Sequence, residues 1–187
     1  MSLLLPRISR LTILDSHGEI SRFAPNQGQL RLLQEVEDQF ARRQRARVIV
    51  LKARQIGFST MIQAIGYTLC DTFDNYAGLV MAHDRDTTES LLGMTKRFWA
   101  HDPFRQLRTL RTDSKADLEW NESGSQIKVA TAGTLAATSA ESLLAEVESI
   151  RKLIYLDIEG SEIAALKGAV RTIGQHKPVI AFEDPAD

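Results

Sequence analysis

The chain has 187 residues, of which 43% are hydrophobic and 25% charged, a balance typical of a globular protein with a packed core. Its single cysteine and four scattered histidines exclude a disulfide framework and a zinc-binding spacing, and they fit a reducing, cytoplasmic compartment. The net charge of −1 divides into +3 over residues 1–135 and −4 over residues 136–187, and neither value is large enough to indicate nucleic-acid binding.

The first elements alternate between strands and helices. Residues 4–14 resemble a short strand region, and Asn26 is a suitable N-cap for the helix that follows. Residues 47–51 are a continuous apolar run, which predicts a buried strand. A loop over residues 52–59 then leads into a helix that begins at about Thr60.

The same alternation continues along the chain. Residues 77–82 predict a second buried strand, and Thr87 or Thr88 is a suitable N-cap for the next helix, which Pro103 would end. Residues 118–130 predict a β-hairpin with a turn around its glycine. We therefore expect an α/β fold with a mainly parallel sheet and flanking helices.

The last part of the chain predicts a smaller helix–strand–helix–strand unit. Its elements are a helix at 142–149, a strand at 153–156, a helix around 163–173 and a strand at 178–182. The small, featureless residues 133–140 precede this unit and form the expected joint. No apolar stretch approaches the roughly 20 residues that cross a membrane, so we expect no membrane partner.

Residues 52–59, Lys-Ala-Arg-Gln-Ile-Gly-Phe-Ser, lie between a predicted strand and a helix, as a phosphate-binding loop does. In the usual pattern G-x-x-x-x-G-K-[ST], backbone N–H groups hold the phosphates, the lysine reaches their oxygens and the hydroxyl holds Mg²⁺. Gly57 and Ser59 match this pattern, but a lysine replaces the first glycine and a phenylalanine the usual lysine. Phosphate binding then requires a cation from Lys52 or Arg54; otherwise the segment is a plain sheet connection.

The order Lys-x-x-Arg-x-Gly-aromatic-Ser resembles the deviant phosphate loop of phage terminase large subunits, the motors that package viral DNA. In that family the essential lysine can begin the loop. Residues 23–29, Phe-Ala-Pro-Asn-Gln-Gly-Gln, resemble its adenine-reading Q motif, and residues 78–84 resemble its second strand. Residues 124–133 resemble the segment before its Walker B strand. The resemblance covers about residues 20–135.

This resemblance implies binding of ATP and Mg²⁺, with Ser59 as the metal ligand. It also implies double-stranded DNA, the phage portal and the small terminase subunit as partners in the host cytoplasm. Two alternatives stay open: Gln29 is a solvated helix residue, and the arginines within residues 42–47 are a solvated helix end and not a DNA contact. The implied nucleotide-binding residues are Gln29, Lys52, Arg54, Gln55, Gly57, Ser59 and Thr60.

A terminase also needs a strand that ends in adjacent Asp-Glu, which hold Mg²⁺ and orient the attacking water. The apolar strand that ends in acids is Leu-Ile-Tyr-Leu-Asp-Ile-Glu at residues 153–159. Its Asp157 and Glu159 project to the same side of an extended chain and are the candidate catalytic carboxylates. Because they are not adjacent, we expect an incomplete ATPase with weak or absent turnover.

The same acidic segment also resembles the closing portion of FkbM-type methyltransferases. The shared pattern is Asp-Ile-Glu-Gly-x-Glu with Leu-x-Gly-Ala at residues 156–169, then Lys-Pro before a strand that ends in Glu at 176–183. The resemblance covers about residues 139–187 and implies S-adenosylmethionine as the cofactor, although the chain contains no Gly-rich cofactor loop. Glu159 would then face the ligand crevice; otherwise it is solvated and Glu162 caps a helix.

The sequence therefore predicts a terminase-like ATPase fragment at residues 1–135 and a methyltransferase-like C-terminal fragment at 136–187. Three functions remain open: an ATP-binding terminase fragment, an S-adenosylmethionine-dependent methyltransferase, and a composite chain with no evolved activity. We favour the first as the identity of most of the chain and the third as its state of activity.

Overall fold

The computed structural model describes residues 2–15, 17–42, 57–82 and 84–131, residue 170, and the backbone of residues 152–157 and 179–182. Within them lie four α-helices, eight strands and a 3₁₀ turn at Arg105–Leu107. The helices are α1 (Leu5–Ile8), α2 (Gln27–Ala41), α3 (Phe58–Thr72) and α4 (Arg85–Ala100). The strands are β1 (Thr12–Leu14), β2 (Ile20–Arg22), β3 (Ala77–Ala82), β4 (Leu110–Asp113), β5 (Asp117–Trp120), β6 (Gln126–Thr131), β7 (Lys152–Asp157) and β8 (Val179–Phe182).

Six of these strands form one mixed sheet in the order β4-β5-β6-β3-β7-β8. Strands β6, β3, β7 and β8 run parallel to one another, whereas β4, β5 and β6 pair antiparallel. The predicted α/β class and the strand at residues 77–82 are confirmed, but the sheet is mixed because the predicted hairpin extends it. The strand predicted at residues 47–51 lies outside the described residues.

Strand β3 lies inside the sheet, between β6 and β7, and each of its six residues is buried. Its register with β7 runs from Ala77 opposite Lys152 to Ala82 opposite Asp157. The predicted segments 1–135 and 136–187 therefore contribute strands to one sheet. The helices predicted at 142–149 and 163–173 are outside the part of the chain that the structure describes, apart from Val170.

Side chains near the first residue cap the N-termini of α2 and α4. Asn26 caps α2 as predicted, because its side-chain oxygen accepts the N–H of Gln29 at 3.0 Å. The prediction of Thr87 or Thr88 as the cap of α4 is wrong. Asp84 caps that helix, with its Oδ1 2.7 Å from the N–H of Thr87. A carboxylate suits this position because it also faces the positive end of the helix dipole.

The strand region predicted at residues 4–14 is only partly correct. Residues Leu5–Ile8 form the short helix α1, and the strand is confined to Thr12–Leu14, which pairs with β2. Pro6 lies in the first turn of α1, where its fixed φ favours a helix and its missing N–H costs nothing.

Helix α3 is the centre of the core, because every residue from Met61 to Cys70 is buried. The centroid of the Tyr67 ring lies 6.0 Å from the ring centroid of Phe98 and 5.9 Å from that of Trp120. Its hydroxyl donates to Oδ2 of the buried Asp102 at 2.8 Å. Burial raises the pKa of Tyr67, so the phenol stays protonated and remains a donor.

The far end of α3 is held by ion pairs. Asp71, whose side chain is 10% exposed, pairs with Arg7 of α1 at 2.9 Å and also with Arg108. Arg7 and Arg108 are more exposed than Asp71, and solvent screening therefore limits what each ion pair contributes to stability. Together they connect α1, α3 and the segment after the 3₁₀ turn.

The Tyr67–Asp102 hydrogen bond can be tested by Tyr67→Phe, which keeps the ring and removes the donor. We expect the free energy of unfolding to fall by about 1–3 kcal/mol, because the buried carboxylate loses a partner. Urea denaturation followed by circular dichroism measures the change. Leu107→Ala, at a side chain that is 74% exposed, is the control and should stay within about 0.5 kcal/mol of wild type. An unchanged midpoint for Tyr67→Phe would contradict this role.

Candidate nucleotide-binding site

The N-terminus of α3 begins at a glycine. Gly57 occupies the N-cap position with φ 76° and ψ 19°, and among the described residues no side chain caps the helix. The first N–H groups of a helix have no partner within it and carry partial positive charge. A helix N-terminus can bind an anion such as a phosphate through these groups.

The N-terminus of α2 packs against this helix start. A Cβ atom on Gly28 would lie 3.3 Å from Cζ of Phe58, so the glycine allows close approach. The side-chain Nε2 of Gln29 donates to the backbone oxygen of Gly57 at 2.6 Å. Gln29 is only 4% exposed. The alternative that it is a solvated helix residue is therefore wrong.

Both polar atoms of the Gln29 side chain have a backbone partner. Its Oε1 accepts the N–H of Asn26 at 2.8 Å, which completes a capping box with the Asn26 side chain. Its Nε2 reaches Gly57, whose oxygen also accepts the N–H of Met61 at 3.2 Å. The carbonyl that begins α3 thus has two donors.

Sequence reasoning did not predict this contact between the two helix starts. The spacing of Asn26 and Gln29, which is that of a capping box, could have indicated that the glutamine turns back toward the backbone. It could not have indicated Gly57 as the second partner, because that contact joins residues 28 positions apart.

The predicted nucleotide-binding residues divide into two groups. Gly57, Ser59 and Thr60 lie in the first turn of α3, where the serine and threonine are half-buried. The Thr60 hydroxyl lies 3.9 Å from Sδ of Met94 on α4. Lys52, Arg54 and Gln55 lie outside the described residues.

Strand β7, which carries the candidate catalytic Asp157 at its end, finishes on the side of the sheet where α3 begins. The connection of residues 73–76 between α3 and β3 is short, so the helix runs back along the strand. Its 15 residues span about 22 Å, comparable to the six-residue strand. The start of α3 therefore lies toward the carboxyl end of β3, where Ala82 is paired with Asp157. Glu159 lies outside the described residues.

Two negative findings hold for the described residues. They contain no group of three or more His, Cys, Asp or Glu side chains that could hold a metal ion. None of their helices is long and apolar enough to cross a membrane.

Comparisons with known proteins point to one fold. No protein-family model matches the sequence, and no curated protein matches it. The HK97 bacteriophage large terminase matches with a TM-score of 0.67 and 14% identity, over 98% of this chain and 38% of that one. The Thermus phage P74-26 large terminase ATPase domain matches with a TM-score of 0.63 and 14% identity, over 88% and 66%. A large terminase from another thermophilic bacteriophage matches with a TM-score of 0.55 and 12% identity, over 86% and 39%.

At such low identity these likenesses establish the fold, which is that of phage large-terminase ATPase domains. The chain spans well under half the length of the HK97 protein. The likeness to that protein covers nearly the whole chain. The methyltransferase resemblance of residues 139–187 finds no support in these matches and stays a prediction.

The left-handed backbone conformation of Gly57 can be tested with two glycine substitutions. Gly57→Ala places a Cβ on a left-handed residue, 2.8 Å from Nε2 of Gln29. We expect it to lower the free energy of unfolding by about 1–3 kcal/mol. Gly93→Ala, inside α4 with open space around its Cβ, should instead stabilise the protein by about 0.5–1 kcal/mol. Urea denaturation measures both, and a stable Gly57→Ala variant would contradict the described backbone.

Proposed function

We propose that this chain binds ATP with Mg²⁺ at the loop that leads into α3, as the nucleotide-binding fragment of a viral DNA-packaging motor. The observation that supports it most is the start of α3 at Gly57, which no side chain of the described residues caps and which the buried Gln29 borders, in a fold shared with phage large-terminase ATPase domains. A helix start of this kind favours the negative charge of a triphosphate.

The proposed roles follow from the chemistry of each group. The backbone N–H groups of the first turn of α3 bind phosphate oxygens, and Lys52 or Arg54 neutralises their charge from the preceding loop, which also contains Gln55. The Ser59 hydroxyl is the proposed Mg²⁺ ligand, because this ion prefers oxygen ligands and shares them with nucleotide phosphates. Guanidinium and ammonium groups both bind phosphate, but only the guanidinium binds in a bidentate way.

Hydrolysis would need further groups. We propose Asp157, at the end of β7, and Glu159 as the carboxylates that hold Mg²⁺ and orient water. Because one residue separates them, we propose nucleotide binding as the main activity and only weak turnover. Double-stranded DNA, the phage portal and the small terminase subunit are the proposed partners, in the cytoplasm of a phage host. Arg42, exposed at the end of α2, is one candidate for contact with DNA phosphates.

Nucleotide binding can be tested with a matched pair of lysine variants. We expect Lys52→Ala to weaken the binding of a fluorescent ATP analogue by about tenfold or more, because a charged hydrogen bond to phosphate is lost. Lys115→Ala should bind like wild type. The Lys115 side chain is 77% exposed, and its Nζ makes a long surface ion pair with Oε2 of Glu89 at 3.9 Å. Equal affinities for the two variants would refute the loop as the nucleotide site.

Turnover can be tested by measuring phosphate release under multi-turnover conditions. We expect release by the wild-type chain to be weak or absent, because binding needs only the loop whereas phosphoryl transfer also needs a carboxylate-held metal and a positioned water. Rapid release that Glu159→Gln abolishes would show the incomplete-ATPase proposal to be wrong. Residues 153–159 would then be a working Walker B strand.

A further inference from the structure

The buried amide of Gln29 has two possible tasks that compete with each other. A glutamine that reads adenine uses its oxygen to accept from the exocyclic amine and its nitrogen to donate to the ring nitrogen. In this structure the oxygen instead accepts from Asn26 and the nitrogen donates to Gly57. Reading a base would break both bonds. The N–H of Asn26 and one acceptor position of the Gly57 oxygen would then lose a partner in a part-buried environment.

We propose that Gln29 is a positioning residue for the Gly57–Phe58 peptide at the start of α3, where phosphate would bind, and that it does not read the base. This inference rests on the proposed nucleotide site, and it assigns the selectivity of that site to the phosphates. It predicts that Gln29 contributes equally to the binding of any nucleoside triphosphate.

The physical reason lies in the peptide that joins Gly57 to Phe58. Its C=O and N–H share one rigid plane and point in opposite directions. The carbonyl is held by two donors, Nε2 of Gln29 at 2.6 Å and the N–H of Met61 at 3.2 Å. Fixing the carbonyl therefore also fixes the direction of the Phe58 N–H, one of the donors available to a phosphate. An anion site with donors aligned before binding loses less entropy when the ligand arrives.

The packing around this contact supports the same role. A Cβ atom on Gly57 would lie 2.8 Å from Nε2 of Gln29, so a side chain there would displace the amide. On the other side of the contact, Gly28 lets the ring of Phe58 approach α2 closely. Gln29 is 4% exposed, so its amide is shielded from solvent.

The decisive substitution is Gln29→Glu, which has nearly the same shape. Glutamate at this position also accepts from the N-cap backbone, so the capping box is retained. The donor to Gly57 is replaced by a carboxylate oxygen that faces a carbonyl oxygen. Gln106→Glu, at an exposed residue of the 3₁₀ turn, makes the same change of charge and is the control. Gln29→Met, which is neutral and of similar length, is the second variant if the glutamate variant fails to fold by circular dichroism.

The intact chain and its variants are titrated with fluorescent, non-hydrolysable ATP and GTP analogues, and inorganic triphosphate is measured by competition. Hydrogen exchange of the amides at residues 57–61 is followed without any nucleotide. For Gln29→Glu we expect about tenfold weaker binding of all three ligands, equivalent to about 1.4 kcal/mol, with an unchanged ATP-to-GTP ratio. Exchange at the start of α3 should be faster, and Gln106→Glu should match wild type in every measurement.

Two results would overturn the proposal. Selective loss of ATP affinity, with GTP and triphosphate unaffected, would identify Gln29 as a base reader. Unchanged exchange at residues 57–61 in both the Glu and the Met variants would show that the contact does not hold the start of α3. The exchange measurement remains informative even if the wild-type chain binds no nucleotide, a result that would refute the proposed function separately.

Discussion

The hydrogen bond from Gln29 to the carbonyl of Gly57 joins the N-termini of two helices, and the candidate site exists only where those two ends meet. Each end would otherwise need its own partner for exposed backbone groups. At α2 the capping box provides that partner, and its glutamine then reaches across to α3. Among the described residues no side chain caps the start of α3, so its first backbone N–H groups are the candidate donors to an anion.

The position of the start of α3 depends on how firmly that helix is held. A helix buried along its whole middle can pair its polar side chains only inside the protein. Within the described residues, Nε2 of Gln63 and the hydroxyl of Thr68 have no hydrogen-bond partner. Tyr67 donates to Asp102, and Oε1 of Gln63 accepts from the hydroxyl of Thr95 on α4 at 2.9 Å. Hydrogen bonds of this kind add specificity to apolar packing, because they are satisfied in only one alignment of the helices.

The shared sheet changes how the two sequence resemblances are weighed. An acidic pair at the end of an apolar strand fits the carboxyl edge of any parallel sheet, whether the fold belongs to an ATPase or a methyltransferase. The pairing of β7 with β3 places this edge beside the carboxyl end of a terminase-like strand. The likeness to the HK97 terminase extends over 98% of the chain. The likeness thus concerns the fold, and function depends on the site residues.

The sequence by itself determined the features that act over a few residues. The six apolar residues of β3 predicted a buried strand, and Asn26 predicted the start of α2, because burial pattern and capping depend on near neighbours. It failed where a nearby competitor won, as when Asp84 displaced the threonines as the cap of α4. Only the tertiary structure decided that the hairpin makes the sheet mixed and that Gln29 contacts Gly57. Such contacts join distant parts of the chain, and their partners are chosen by packing, which no local pattern encodes.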